Sequence, residues 1–141
     1  MRLLAQREHS RQELLQKLAL KGHSASLVRP VLDELAAEGW QSDLRYAETY
    51  ARQRVAKGYG WQRVVYELRQ RGVDAVDWDS LKRDLEVTDL VALQHVYNSK
   101  FGADKHVSRA EWAKRTRFLL QRGFSASMIK LLSQELQLLI R

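Results

Sequence analysis

The sequence predicts an all-α chain of three tandem three-helix repeats, about nine helices in an elongated, curved stack. Three observations predict it. The segment Gly22-His23-Ser24-Ala25-Ser26-Leu27-Val28 is echoed by Gly123-Phe124-Ser125-Ala126-Ser127-Met128-Ile129, with a degenerate copy, Gly72-Val73-Asp74-Ala75-Val76-Asp77-Trp78, between them. The three glycines stand 50 and 51 residues apart, each framed by one leucine four residues before (Leu18, Leu68, Leu119) and another thirteen after (Leu35, Leu85, Leu136). No stretch alternates polar and apolar residues long enough to suggest a sheet. The expected units are 1–39, 40–86 and 87–141.

Each landmark has a physical reason. Gly22, Gly72 and Gly123 sit where a helix must end in a left-handed residue, which costs glycine no Cβ clash. The preceding Lys21, Arg71 and Arg122 meet the negative end of the helix dipole. Ser24, Asp74 and Ser125, two residues on, can cap the next helix. The first repeat then reads as a short helix up to Glu8, a second from Ser10 to Lys21, and a third from Ala25 to Glu38 with the stripe Leu27, Val28, Val31, Leu32, Leu35. The second repeat reads as helices near 43–57, 61–71 and 75–86, burying Ala47, Tyr50, Ala51, Val55, Trp61, Val64, Val65 and Leu68. The third reads as helices near 89–101, 109–122 and 126–139, with Met128, Ile129, Leu132 and Leu136 on the inner face of the last. So small a unit buries little surface alone, and packing between neighbouring units is expected to supply the stability.

Composition narrows the function. The 141 residues contain no cysteine, which excludes disulfides, thiol chemistry and Cys-ligated metals. No apolar run approaches a membrane span, and the start lacks a signal-peptide core, so a soluble, cytoplasmic protein is expected. The net charge of +7 is uneven: residues 42–72 carry +4, 73–99 carry −4 and 100–122 carry +5. Sixteen of the 24 basic residues are arginine, suited to bidentate contacts with phosphate or carboxylate. A polyanion or an acidic protein groove is the expected partner, and composition does not choose between them.

The sequence carries few residues arranged for chemistry. His9, His23, His95 and His106 show no paired ligand spacing, and no metal or cofactor is expected. Gly58 and Gly60 lack the phosphate-loop spacing; a helix-end glycine followed by a helix-start glycine explains them. Asp74, Asp77, Asp79, Asp84 and Asp89 are accounted for by helix caps and first turns rather than by a cation. Without a nucleophile or an acid–base constellation, an enzyme is not expected.

The densest signal runs from Ser42 to Gly72. Arg45, Arg52, Arg54 and Lys57 project away from an aromatic and alanine stripe, and Arg63, Arg69 and Arg71 continue the positive surface beyond the turn. A solvated basic helix over a core stripe is the competing explanation. Asp43 reads as a dipole and capping residue, and Tyr46 and Trp61 read as core rather than as stacking platforms for bases.

These residues carry a resemblance. Arg7-Glu8-His9-Ser10 with Glu13-Leu14 and Lys17-Leu18, Asp43-x-Arg45-Tyr46-Ala47, Arg54-x-x-Lys57-Gly58-x-Gly60-x-x-Arg63, then Glu67-Leu68 and Gly72, resemble the RecX regulators of the RecA recombinase. The likeness runs from Leu3 to the C-terminus and is most specific between Asp43 and Gly72; the third unit matches chiefly by helix pattern. Family members usually have a longer first helix before the Arg-Glu-x-Ser motif. The resemblance implies tandem three-helix repeats that bind in the deep helical groove of RecA filaments on DNA, with single- or double-stranded DNA as a further partner, bound more weakly or through the filament. It also implies inhibition of strand exchange, ATP hydrolysis and LexA coprotease activity, restraining recombination and the SOS response, and so a place in DNA repair. Carried over, the motif implies contacts through Arg45, Arg52, Arg54, Lys57 and Arg63, on a surface shaped by Asp43, Tyr46, Gly58 and Gly60. Lys114, Arg115, Arg117 and Arg122 form a second candidate patch. The alternatives are a stand-alone basic helical DNA-binding module and a helical scaffold that binds acidic proteins.

Overall fold

The computed structural model describes residues 2–141. Nine helices are found among them: α1 (Arg2–Gln6), α2 (Arg11–Leu20), α3 (Ala25–Ala37), α4 (Asp43–Ala56), α5 (Trp61–Gln70), α6 (Trp78–Asp84), α7 (Asp89–Phe101), α8 (Arg109–Gln121) and α9 (Ala126–Glu135). They fall into three groups of three in chain order. The landmark glycines behave as their positions require: Gly22, Gly72 and Gly123 have φ of 89°, 83° and 101°, and Lys21, Arg71 and Arg122 cap the C-termini of α2, α5 and α8.

Each repeat closes its own core. Leu14, Val28 and Leu32 form one cluster, Tyr46, Ala47, Ala51, Val64, Leu68, Val73 and Leu81 a second, and Leu93, Val96, Tyr97, Leu119, Phe124, Ile129 and Leu132 a third. The clusters do not cross the repeat boundaries, so the buried apolar packing lies within the units. The accessible surface is 9038 Å². A compact monomer of 16.4 kDa would expose about 7,500 Å², so the chain is extended, as a stack of small bodies must be.

The structure corrects four local expectations. The sixth helix starts at Trp78, not near 75, because Asp77 rather than Asp74 caps it, accepting the Ser80 N–H at 3.1 Å. The ninth stops at Glu135: Gln137 takes a positive φ of 53° and turns the chain into a two-residue strand, β2 (Leu139–Ile140), parallel to β1 (His106–Val107). Leu27 and Val31 are 73% and 49% exposed, because α3 lies in the terminal repeat and its inner face needs only Val28 and Leu32. Ser24 precedes α3 without capping it through its side chain, whereas Ser125 does cap α9, accepting from the Met128 N–H.

Candidate functional site

The residues between Ser42 and Gly72 lie at the two junctions of the stack, and each junction is made in the same way. At the first, Ser10 caps α2 in a reciprocal box with Glu13, and its hydroxyl donates to the Arg71 carbonyl at 2.8 Å. At the second, Gly60 caps α5, and its N–H donates to the Arg122 carbonyl at 2.6 Å. In both, the end of a repeat's second helix docks on the start of the previous repeat's second helix. Any Cβ on Gly60 would fall well inside the van der Waals radius of the Gly123 carbonyl group, and one on Gly72 would collide with the Gln12 side chain. At Gly60, with φ of −77°, close approach alone requires glycine; at Gly72, with φ of 83°, both close approach and φ do.

The arginines divide into fastened and free. Arg45 pairs with Glu8 at 2.8 Å and donates to the carbonyls of Gly39 and Trp40, so it ties the first repeat to α4. The hydrogen bond to Glu8 raises its pKa above the ordinary arginine value. Arg54 grips Glu67 through two bonds of 3.0 Å and lies 3.6 Å over the Tyr59 ring. Arg63 also reaches Glu67, at 3.6 Å, and donates to the Gln121 carbonyl across the second junction. Arg71 donates to the Glu67 carbonyl and lies over Tyr50. Asp43 reaches back to the first repeat and accepts from the Arg11 N–H at 2.9 Å, capping α2 from the neighbouring unit, while Ser42 caps α4 itself. Tyr46 is core, and burial, followed by the charge of Glu13, pushes its hydroxyl up to about 12.

By contrast Arg52, Lys57 and Arg69 are exposed, and none of them forms an ion pair among the described residues. In the third repeat Arg115 is fastened, by Glu111 at 3.1 Å and the Tyr97 hydroxyl at 2.8 Å, whereas Lys114 and Arg117 are exposed. Arg122 stands across the second junction, 4.6 Å over Tyr59 and 5.1 Å over Phe118. The two basic stretches of the sequence are thereby brought to one boundary. Gly58, with φ of 90°, ends α4 against Val96.

Sequence reasoning missed the carboxylates Glu8 and Glu13 as counter-charges and Tyr59 as the ring over which Arg54, Arg63 and Arg122 converge. The Arg63–Glu67 pair has an i,i+4 signal that could have revealed it. Arg54–Glu67 and Arg45–Glu8 span turns and have none.

Comparison with known proteins agrees with this architecture. Models of the first, second and third three-helix domains of RecX match residues 1–35, 42–80 and 88–131. The chain is 44% identical to regulatory protein RecX of Halorhodospira halophila over 92% of its length and 81% of that protein's. It is 45% identical to the one from Pseudomonas entomophila, over 92% of this chain and 83% of the other. The crystal structure of RecX from Lactobacillus salivarius superposes with a TM-score of 0.71 at 24% identity, covering 98% of this chain and 92% of that one. The ordered motif, the repeated junction and these likenesses converge: the chain belongs to the RecX family.

Proposed function

We propose that this protein is a non-enzymatic modulator that lies in the groove of the RecA–DNA filament and inhibits strand exchange, ATP turnover and coprotease activity, restraining recombination and the SOS response in the cytoplasm. The observation that carries it is the extended stack of a RecX-family chain whose free cations flank a fastened frame. Arg45 and Arg63 are engaged across the repeat boundaries, and Arg54 and Arg71 within the second repeat. Arg52, Lys57, Arg69, Lys114 and Arg117 present charge to solvent, where acidic protein surface or phosphate can meet it. No catalytic step is needed, because occupying the groove obstructs the second DNA strand.

Strand exchange by preformed filaments tests this and separates the two classes of arginine. Arg52→Ala with Lys57→Ala should weaken inhibition about tenfold while leaving the urea midpoint unchanged. Arg54→Ala should lower the midpoint, because it leaves Glu67, 16% exposed, with only the longer contact to Arg63. Full inhibition by the Arg52→Ala/Lys57→Ala protein would exclude this surface.

A further inference from the structure

The repeat register places the same crevice at both junctions but charges the two differently. The first, about 310 Å³, is lined by Arg7, Glu8, Glu13, Gln53 and Arg71 among others. The second, about 260 Å³, is lined by Lys57, Gly58, His95, Ser99, Lys100 and Arg122, together with Phe118 and the α4 and α7 walls. Six of the eight residues lining the first have counterparts lining the second. Arg7 becomes Lys57 and Glu8 becomes Gly58, each 50 residues on, and Arg71 becomes Arg122, 51 on. Gln53 becomes Ser99, 46 on, the same offset that separates the starts of α4 and α7. The crevice is therefore a product of the stacking geometry, and its chemistry is set by what each repeat places there.

At the first junction the cations are answered by carboxylates: Arg7 pairs with Glu13 at 3.3 Å, and Glu8 stands beside them. At the second, no acidic residue lines the crevice. The position of Glu8 is a glycine, and that of Glu13 is Arg63. Lys57, Lys100 and Arg122 form no ion pair among the described residues. Two of the three are held by aromatic faces: Lys100 lies 5.3 Å and Arg122 5.1 Å over Phe118. A ring orients a cation without neutralising it. The remaining compensation comes from the ends of α4, α7 and α8, where these residues sit. Arg122 also donates to the Lys57 carbonyl at 3.4 Å, and neither that neutral oxygen nor the partial charge of a helix end neutralises a full cation.

We propose that the crevice between the second and third repeats is a phosphate pocket that seats one phosphodiester of a single-stranded nucleic acid, with Lys57, Lys100 and Arg122 as charge partners and Ser99 as a neutral donor. The inference rests on the proposed nucleoprotein reading only in taking a nucleic-acid strand as the source of the phosphate. Because Lys57 comes from one repeat and Lys100 and Arg122 from the next, the bound phosphate clamps the two together.

The test is binding of a labelled single-stranded oligonucleotide across a salt series. Lys57→Gln with Lys100→Gln changes only exposed side chains. It should weaken binding about tenfold at low salt. It should also flatten the slope of log K against log salt by about 0.7, the loss of one phosphate. An equal loss in Arg83→Gln with Lys130→Gln, two exposed cations outside the crevice, would indicate diffuse attraction and overturn the proposal. The His95 ring resonances should move when the oligonucleotide is added to the wild type and stay in place in the double variant. If inorganic phosphate at matched ionic strength moves them and the oligonucleotide does not, the pocket takes the free ion and the strand assignment is wrong. Loss of the pocket effect with filament inhibition intact would refute the pocket alone. A pocket effect without filament inhibition would refute the recombinase reading alone.

Discussion

Single residues decide how closely the repeats approach. Gly60 is the clearest case, since its place is defined by the backbone of Gly123 rather than by its own helix. Gly60→Ala is expected to cost about 1–3 kcal/mol by overpacking the junction, read as a lower urea midpoint. A change below about 0.5 kcal/mol would show that the junction yields freely. His9 carries a second residue-scale prediction. It is buried at the first junction, its Nδ1 bonded to the Arg7 carbonyl and its Nε2 2.9 Å from Lys17 Nζ. Burial first, and then the charges of Arg7 and Lys17, hold its pKa below the usual 6.5, outweighing the Arg7 carbonyl and Glu13. The unfolded chain therefore takes up a proton as pH falls past 6.5 while the folded chain does not. Stability should be full above that pH and decline as pH drops through the folded pKa. The urea midpoint should fall between pH 7.5 and 5.5 in the wild type and fall less in His9→Gln; equal declines would place the titration elsewhere.

The helices show which parts of the fold were legible in the sequence. Those ended by a landmark glycine were placed to within a residue or two, because a left-handed terminus leaves a mark at the terminus itself. The sixth helix was misplaced because Asp74 and Asp77 are both chemically competent caps, and the choice depends on Val73 being drawn into the core of the second repeat. Asp77→Ala should therefore cost about 1 kcal/mol in thermal or urea unfolding. Asp74→Ala should change it by less than about 0.5 kcal/mol. The reverse order would mean that the helix starts earlier. The pairing of β1 with β2 was illegible, since two residues cannot show a period and their partner lies some thirty residues away. The same holds for the candidate site. Its basic residues were visible as composition, but their division into fastened and free depends on Glu8, Glu67 and Tyr97, brought in from other helices.

At the scale of the whole molecule the three cores are separate and the boundaries polar, with glycine contacts, carbonyl bonds and arginines over Tyr59 in place of an apolar seam. Each repeat, small as it is, buries its own leucines, with aromatic residues added in the second and third, and neighbouring repeats pack through the polar and glycine contacts of the junctions. Charge separation survives in three dimensions as a basic second junction, and that is where the proposed function and the phosphate pocket meet. The most direct measurement is ATP turnover by RecA filaments on single-stranded DNA, titrated with this protein. The account predicts suppression at or below one protein per recombinase protomer. Undiminished turnover at concentrations that saturate binding to naked DNA would contradict it.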